Sequence, residues 1–177
     1  MAFTLYRASE RGVAEHGWLH SRFSFSFAEY HNPKRMGFGA LRVINDDVVE
    51  AGKGFGMHPH QNMEIVSIVT KGSLEHRDSE GNHGIIKAGE IQYMSAASGV
   101  YHSEYATKNE SVALFQIWIY PNQKGGTPFY YQRSFIHHDQ TNRWVILVSG
   151  DGREDSITIK QNASISSAEI EDGAKIT

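Results

Sequence analysis

Cysteine is absent from the 177 residues, which excludes disulfides, thiolate zinc sites, cysteine-ligated iron–sulfur clusters and a cysteine nucleophile together. Proline is scarce, with four residues, and no apolar run is long enough to span a bilayer: VALFQIWIY is short and interrupted by Gln116. The N-terminal MAFTLYRASERG has no continuous apolar h-region, so no secretory signal is visible and a cytoplasmic, membrane-free protein is expected. Charge of one sign is lacking too. Seventeen Lys and Arg against 20 Asp and Glu leave a formal net charge of -3, which gives no field to hold a nucleic acid.

Against these absences stand ten histidines, 17 glycines and a 40% hydrophobic content that supports a folded core. Any metal bound here must be held by imidazole and carboxylate. Short segments rich in β-branched and aromatic residues read as strands over 41–44, 64–71, 73–78, 85–87, 90–94, 100–105 and 112–120. Lys71-Gly72, Ser79-Glu80-Gly81-Asn82 and Ala88-Gly89 supply turns between them, and no long amphipathic helix interrupts the series. An all-β sandwich or barrel follows. EIVSIVTK and VALFQIWIY carry apolar residues at both parities, as strands covered on both faces do. After Trp144-Val145-Ile146-Leu147-Val148 the polar, glycine-rich SGDGREDS marks a boundary, and the tail beyond it holds too little apolar residue to close a domain of its own.

His58 and His60 flank Pro59 after the glycine-rich AGKGFGM. On an extended chain, residues i and i+2 face the same way, so both imidazoles can address one point. His102 and Glu104 repeat that spacing in VYHSEY. Two such pairs on neighbouring strands can supply three imidazoles and a carboxylate to one ion, a donor set suited to Fe(II), Ni(II), Cu(II), Mn(II) or Zn(II). The other histidines (His16, His20, His31, His76, His83, His137 and His138) lack paired spacing and are expected at the surface. AGKGFG matches neither phosphate-loop pattern and is expected to be backbone passing close to the metal strand. RMGFG at Arg35–Gly39 is a candidate for the barrel mouth, with ordinary turn packing the expected account. Small residues at Ser95–Gly99 leave room above a metal, and Phe55, Met57 and Trp118 are candidates for an apolar pocket.

The stretch from Gly52 to Tyr105, GKGFGMHPHQNMEIVSIVTKGSLEHRDSEGNHGIIKAGEIQYMSAASGVYHSEY, resembles the signature region of pirin-like proteins, a branch of the cupin superfamily. FAEYHNPKRMGFGALRVINDD and QIWIYPNQKGGTPFYYQ resemble the same family, so that the likeness covers roughly residues 3–160. The resemblance implies an antiparallel, jelly-roll-like cupin β-barrel over 1–142. It also implies that 143–177 is a C-terminal extension, the stub of a second, otherwise absent barrel. The metal ligands it implies are His58, His60, His102 and Glu104, holding one divalent transition metal ion, with Fe(II) placed ahead of Ni, Cu, Mn, Zn or Co. Gly72, which closes the first cupin motif, comes one residue late. Ordinary cupins take a carboxylate at Glu64; in the pirin-like branch Glu104 has that role, and Glu64 is held in reserve as a ligand or as an acceptor behind a ligand imidazole.

The activity implied is that of a quercetin 2,3-dioxygenase: a flavonol-type substrate gives its 3-hydroxyl proton to Glu104, and dioxygen opens the heterocycle with release of carbon monoxide. The alternative implied by the same family is a non-catalytic, redox-sensing metal module acting through protein partners. A cupin lyase or isomerase is a third reading, since fold and ligands do not fix the reaction. A sheet edge left uncovered by the missing barrel points to a homodimer.

Overall fold

The computed structural model describes residues 5–135 and 139–176; His137 and His138 lie outside them. Among the described residues, fourteen strands and two single 3-10 turns, Ala8–Glu10 and Arg153–Asp155, account for the regular structure. In chain order they are β1 (Gly12–Glu15), β2 (Leu19–Phe23), β3 (Leu41–Val49), β4 (Gly54–His60), β5 (Glu64–Lys71), β6 (Ser73–Asp78) and β7 (His83–Lys87). There follow β8 (Glu90–Ser95), β9 (Val100–Ala106), β10 (Val112–Ile119), β11 (Phe129–Ser134), β12 (Val145–Ser149), β13 (Ile157–Thr158) and β14 (Ser164–Ser167). The expected strands all form. β3 runs on past Ile44, and β1, β2, β11 and the C-terminal β12, β13 and β14 add strands that the sequence patterning did not single out.

Seven strands form the large sheet in the order β1-β2-β3-β10-β5-β8-β11, and four form a second sheet in the order β4-β9-β6-β7. All the pairings in both are antiparallel. The two sheets are the walls of an all-β, cupin-type fold, and they are not hydrogen-bonded into one closed cylinder. β12, β13 and β14 make a separate three-stranded sheet. No helix among the described residues is long and apolar enough to cross a membrane.

Side-chain parity explains how the layers stack. Along β10, Val112 and Leu114 enter an apolar cluster with Leu19, Val49, Val69, Leu74, Ile86 and Ala106. Ile117 and Ile119 point the other way and pack with Val66, Ile91 and Tyr93 against Val145, Leu147, Val148, Ile157 and Ile159. The large sheet is therefore covered on both faces, which accounts for the unbroken apolar character of β5 and β10. The C-terminal strands cover its outer face, where each apolar side chain buried contributes roughly 1.5–3 kcal/mol.

Glu64 belongs to this outer layer. Residues 64, 66 and 68 share a face of β5 opposite to residues 65, 67 and 69, so Glu64 turns away from the histidines. It is fully buried and accepts hydrogen bonds from Tyr93 Oη (2.5 Å), Ser95 Oγ (2.7 Å) and the Lys160 backbone N–H (2.9 Å). The reserve role for Glu64 as a ligand or as an acceptor behind an imidazole is thereby corrected: its carboxylate fastens the segment after β13 to the large sheet.

Candidate metal centre and cavity

The histidines meet on the inner face of the four-stranded sheet. β4 pairs with β9 so that His58 stands opposite His102 and Phe55 opposite Glu104, with an irregularity between Phe55 and His58. Two residues on β4, Gly56 and Met57, thus face one on β9, Ser103. This bulge reverses the parity of β4 and lets both Phe55 and His58 point inward. The glycines of AGKGFGM permit it. A Cβ on Gly54 would stand 2.2 Å from the Glu104 carbonyl oxygen and 2.5 Å from Tyr105 Cα, so only glycine fits this close approach to β9. Met57, by contrast, points outward and is exposed.

The imidazole rings of His58, His60 and His102 lie 4.5–4.8 Å apart, centroid to centroid. One nitrogen of each can be chosen so that all three lie within 4.8 Å of one another. His58 Nδ1 donates to the Gly56 carbonyl at 2.7 Å, which orients the ring and leaves Nε2 as the nitrogen available to a metal. Burial, then the neighbouring His102 and His58, pushes His60 down to about 4. Burial, then His58 and His76, pushes His102 down to about 3. Both rings are neutral at pH 7. His60 Nε2 and both nitrogens of His102 are buried without a hydrogen-bond partner. Buried polar atoms left unpaired are costly, and three imidazoles converging on one point fit a first-row divalent cation.

Glu104 sits in a second group with His102 and His76, again with ligand atoms within 4.8 Å. The surface expectation for His76 is corrected: it is fully buried, stands opposite Glu104 in the β6–β9 register, and stacks on Tyr130 at 4.5 Å and 16°. Its Nε2 faces Asp78 Oδ2 at 3.2 Å, and its Nδ1 is buried without a partner. The signal was present in SLEHRD, where His76 shares the face of the core residue Leu74. His16, His20, His31 and His83 are exposed.

Facing this wall, a polar row crosses the inner face of the large sheet. Registers place Asn45 opposite Gln116, Gln116 opposite Ser67, and Ser67 opposite Gln92. Glu104 reaches across into this row: Oε1 accepts from Gln92 Nε2 at 2.6 Å and Oε2 from Gln116 Nε2 at 2.8 Å. Ser67 has one hydroxyl hydrogen to give, and Gln116 Oε1 at 2.8 Å outcompetes Glu104 Oε1 at 3.3 Å. A carboxylate offers about four lone-pair sites. With two firmly taken, Glu104 is fixed in place yet keeps acceptor capacity on each oxygen.

Between the walls lies a cavity of about 940 Å³, lined by Trp18, Phe23, Phe27, Phe55 and Trp118 together with His58, His60, His102 and Glu104. Of the pocket candidates, Phe55 and Trp118 line it. Met57, Arg35–Gly39 and Ser95–Gly99 do not. Polar side chains of the large sheet also line it, among them Ser21, Asn45, Asp47 and Gln116. Burial above all, with the charges of Glu104 and Asp46, raises the Asp47 carboxyl to about 6, against the lowering effect of its bond from Ser21.

The pirin family model matches residues 5–119. Quercetin 2,3-dioxygenase of Escherichia coli strain K12 is 50% identical over 162 residues, spanning 91% of this chain and 69% of that protein. A pirin-like protein of Caulobacter vibrioides is 41% identical, over 94% of this chain and 72% of its own length. The crystal structure of the bacterial pirin YhhW from Escherichia coli in complex with nickel(II) superposes with a TM-score of 0.84 at 48% identity, covering 90% of this chain and 68% of that one. The chain belongs to the pirin family.

Proposed function

We propose that this protein is a metal-dependent dioxygenase of the quercetin 2,3-dioxygenase type, with one divalent ion held by His58, His60, His102 and Glu104. The observation that carries the reading is three converging imidazoles, those of His60 and His102 with unpartnered buried nitrogens, at the wall of a roomy aromatic cavity. Its volume of about 940 Å³ lies within the range of small-molecule sites. A metal module acting only through protein partners has no need of such a space. The relative bearing the quercetin 2,3-dioxygenase name and the nickel complex of a close structural neighbour support the substrate class and a divalent ion.

When bound, the ion supplies Lewis acidity and access to dioxygen chemistry. The remaining work falls to side chains. Trp18, Phe27, Phe55 and Trp118 take up the aromatic rings of the substrate and exclude water. Glu104, anchored by Gln92 and Gln116, accepts the proton of the substrate hydroxyl through its remaining lone pairs. Gln92 and Gln116 are positioning residues: they keep the carboxylate from rotating when its charge changes.

Metal analysis followed by turnover tests the reading. The purified protein should carry about one first-row transition metal per chain, and His58→Ala combined with His102→Ala should abolish it. Metal-loaded protein in air should bleach quercetin absorbance and release carbon monoxide, with Glu104→Gln slower by about 100-fold or more. Absence of turnover with Fe, Ni, Cu, Mn, Zn and Co each loaded would overturn the oxygenase reading in favour of the regulatory module. Full metal retention by the double variant would overturn the ligand set.

A further inference from the structure

At the end of the cavity formed by β2 and β3, the polar row of the large sheet runs on into β3. Inward positions of β3 are normally apolar in a strand facing a core, as Val43 and Val49 are, yet Asn45 and Asp47 take the two positions between them. Both side chains are buried, with 3% and 5% exposure, and both line the cavity. Asn45 Oδ1 has no hydrogen-bond partner. Asp47 Oδ1 accepts from Ser21 Oγ at 2.5 Å, while Oδ2 has no donor among the described residues. Trp18, Phe23 and Phe55 surround this end with apolar surface. A buried carboxylate with one free oxygen and an unpaired amide oxygen both carry a desolvation cost. A ligand hydroxyl that donates to them relieves it.

We propose that Asn45 and Asp47 form a hydroxyl-recognition subsite, which selects aromatic substrates carrying ring hydroxyls in addition to the metal-facing group. The subsite rests on the reading of this cavity as a flavonol site and specifies it further. Asp47 Oδ2 accepts from one ring hydroxyl and the Asn45 carboxamide oxygen from a second, about 7 Å apart at the backbone but able to converge on neighbouring ring positions. Ser21 is a positioning residue that holds Oδ1 and so aims Oδ2. The same site rejects an analogue lacking the hydroxyls, because its acceptors then stay buried and unpaired; polar sites built to bind a hydroxyl discriminate more sharply than apolar ones.

Binding under anaerobic conditions, where no turnover occurs, tests this with two probes. Quercetin carries ring hydroxyls in addition to the 3-hydroxyl, and 3-hydroxyflavone carries the 3-hydroxyl alone. Quenching of tryptophan fluorescence in nickel-loaded protein should give quercetin an affinity about tenfold or more above that of 3-hydroxyflavone. Asn45→Leu and Asp47→Asn should each bring the ratio to within about threefold, Asn45→Leu in part by tightening 3-hydroxyflavone, whose penalty from the unpaired amide oxygen it removes; binding of that probe no weaker than in the wild type also shows that the variants are folded. Equal affinities in the wild type, or a ratio unchanged in both variants, would overturn the subsite and leave the flavonol reading standing. Failure of both probes to bind the wild type would overturn the flavonol reading and the subsite with it.

Discussion

Replacing Asp47 by Asn should make the metal-free protein more stable at neutral and alkaline pH, by an amount that depends on pH in a defined way. In the folded protein the carboxyl is raised from 3.8 to about 6, principally by burial. Folding therefore favours the protonated form. The stability this group contributes is fully present below pH 3.8 and is lost as pH rises through about 6. A shift of about two units corresponds to about 3 kcal/mol of lost stability above pH 7. Asparagine keeps the size and an acceptor for Ser21 but never ionises, so it escapes that loss. A constant offset from swapping the chemical group cancels if the difference between variant and wild type is followed across pH. That difference should widen by about 2 kcal/mol between pH 4.5 and pH 8, because the wild type has already lost part of its stability at the lower value. Urea unfolding of chelated protein at several pH values measures it. A difference that stays flat with pH, or shrinks toward pH 8, would refute the desolvation of Asp47. Combined with weaker binding of hydroxylated ligands, the expected gain would mark Asp47 as a residue kept for function at the expense of stability.

Two further outcomes follow from other buried groups. Glu64→Ala leaves the donors of Tyr93, Ser95 and Lys160 without an acceptor in a dry layer. Urea unfolding should show a loss of about 3 kcal/mol or more, with accelerated amide exchange in 157–167, whereas Tyr93→Phe should lose only about 1–2 kcal/mol. Because His60 and His102 are already neutral down to about 4 and about 3, neither competes with protons for the metal above about pH 5. Competition titrations between pH 5 and pH 7 should therefore give log affinity a slope against pH of one or less; a slope near three would show three ordinary imidazoles instead.

Much of the site is legible in the chain because period-two spacing survives folding: His102 and Glu104 face inward together, as alternation demands. His58 and His60 do so as well, but Phe55 joins them only through a bulge, and a bulge has no alternation to read. The family resemblance favoured Glu104 over Glu64, but alternation did not tell which face of the doubly covered β5 Glu64 occupies, because in EIVSIVTK both faces look alike. Asn45 and Asp47 escaped notice for a different reason. A polar run such as INDD ends a strand when strands are read from apolar residues, yet here β3 continues to Val49 with its polar residues turned toward the cavity. Ser21 and Phe23 went unseen with β2, whose alternation is clear over only five residues.

β10 serves two layers at once. Gln116 steadies Glu104 on one face while Ile117 is packed under the C-terminal sheet on the other. A slip of one residue in this strand would drive the amide into the apolar layer and set an isoleucine beneath the carboxylate, spoiling the site and the outer packing in a single event. Such a strand can accept substitutions position by position but not a gain or loss of one residue. Insertions compatible with activity should accordingly fall in the turns that bracket β10, never within 112–119.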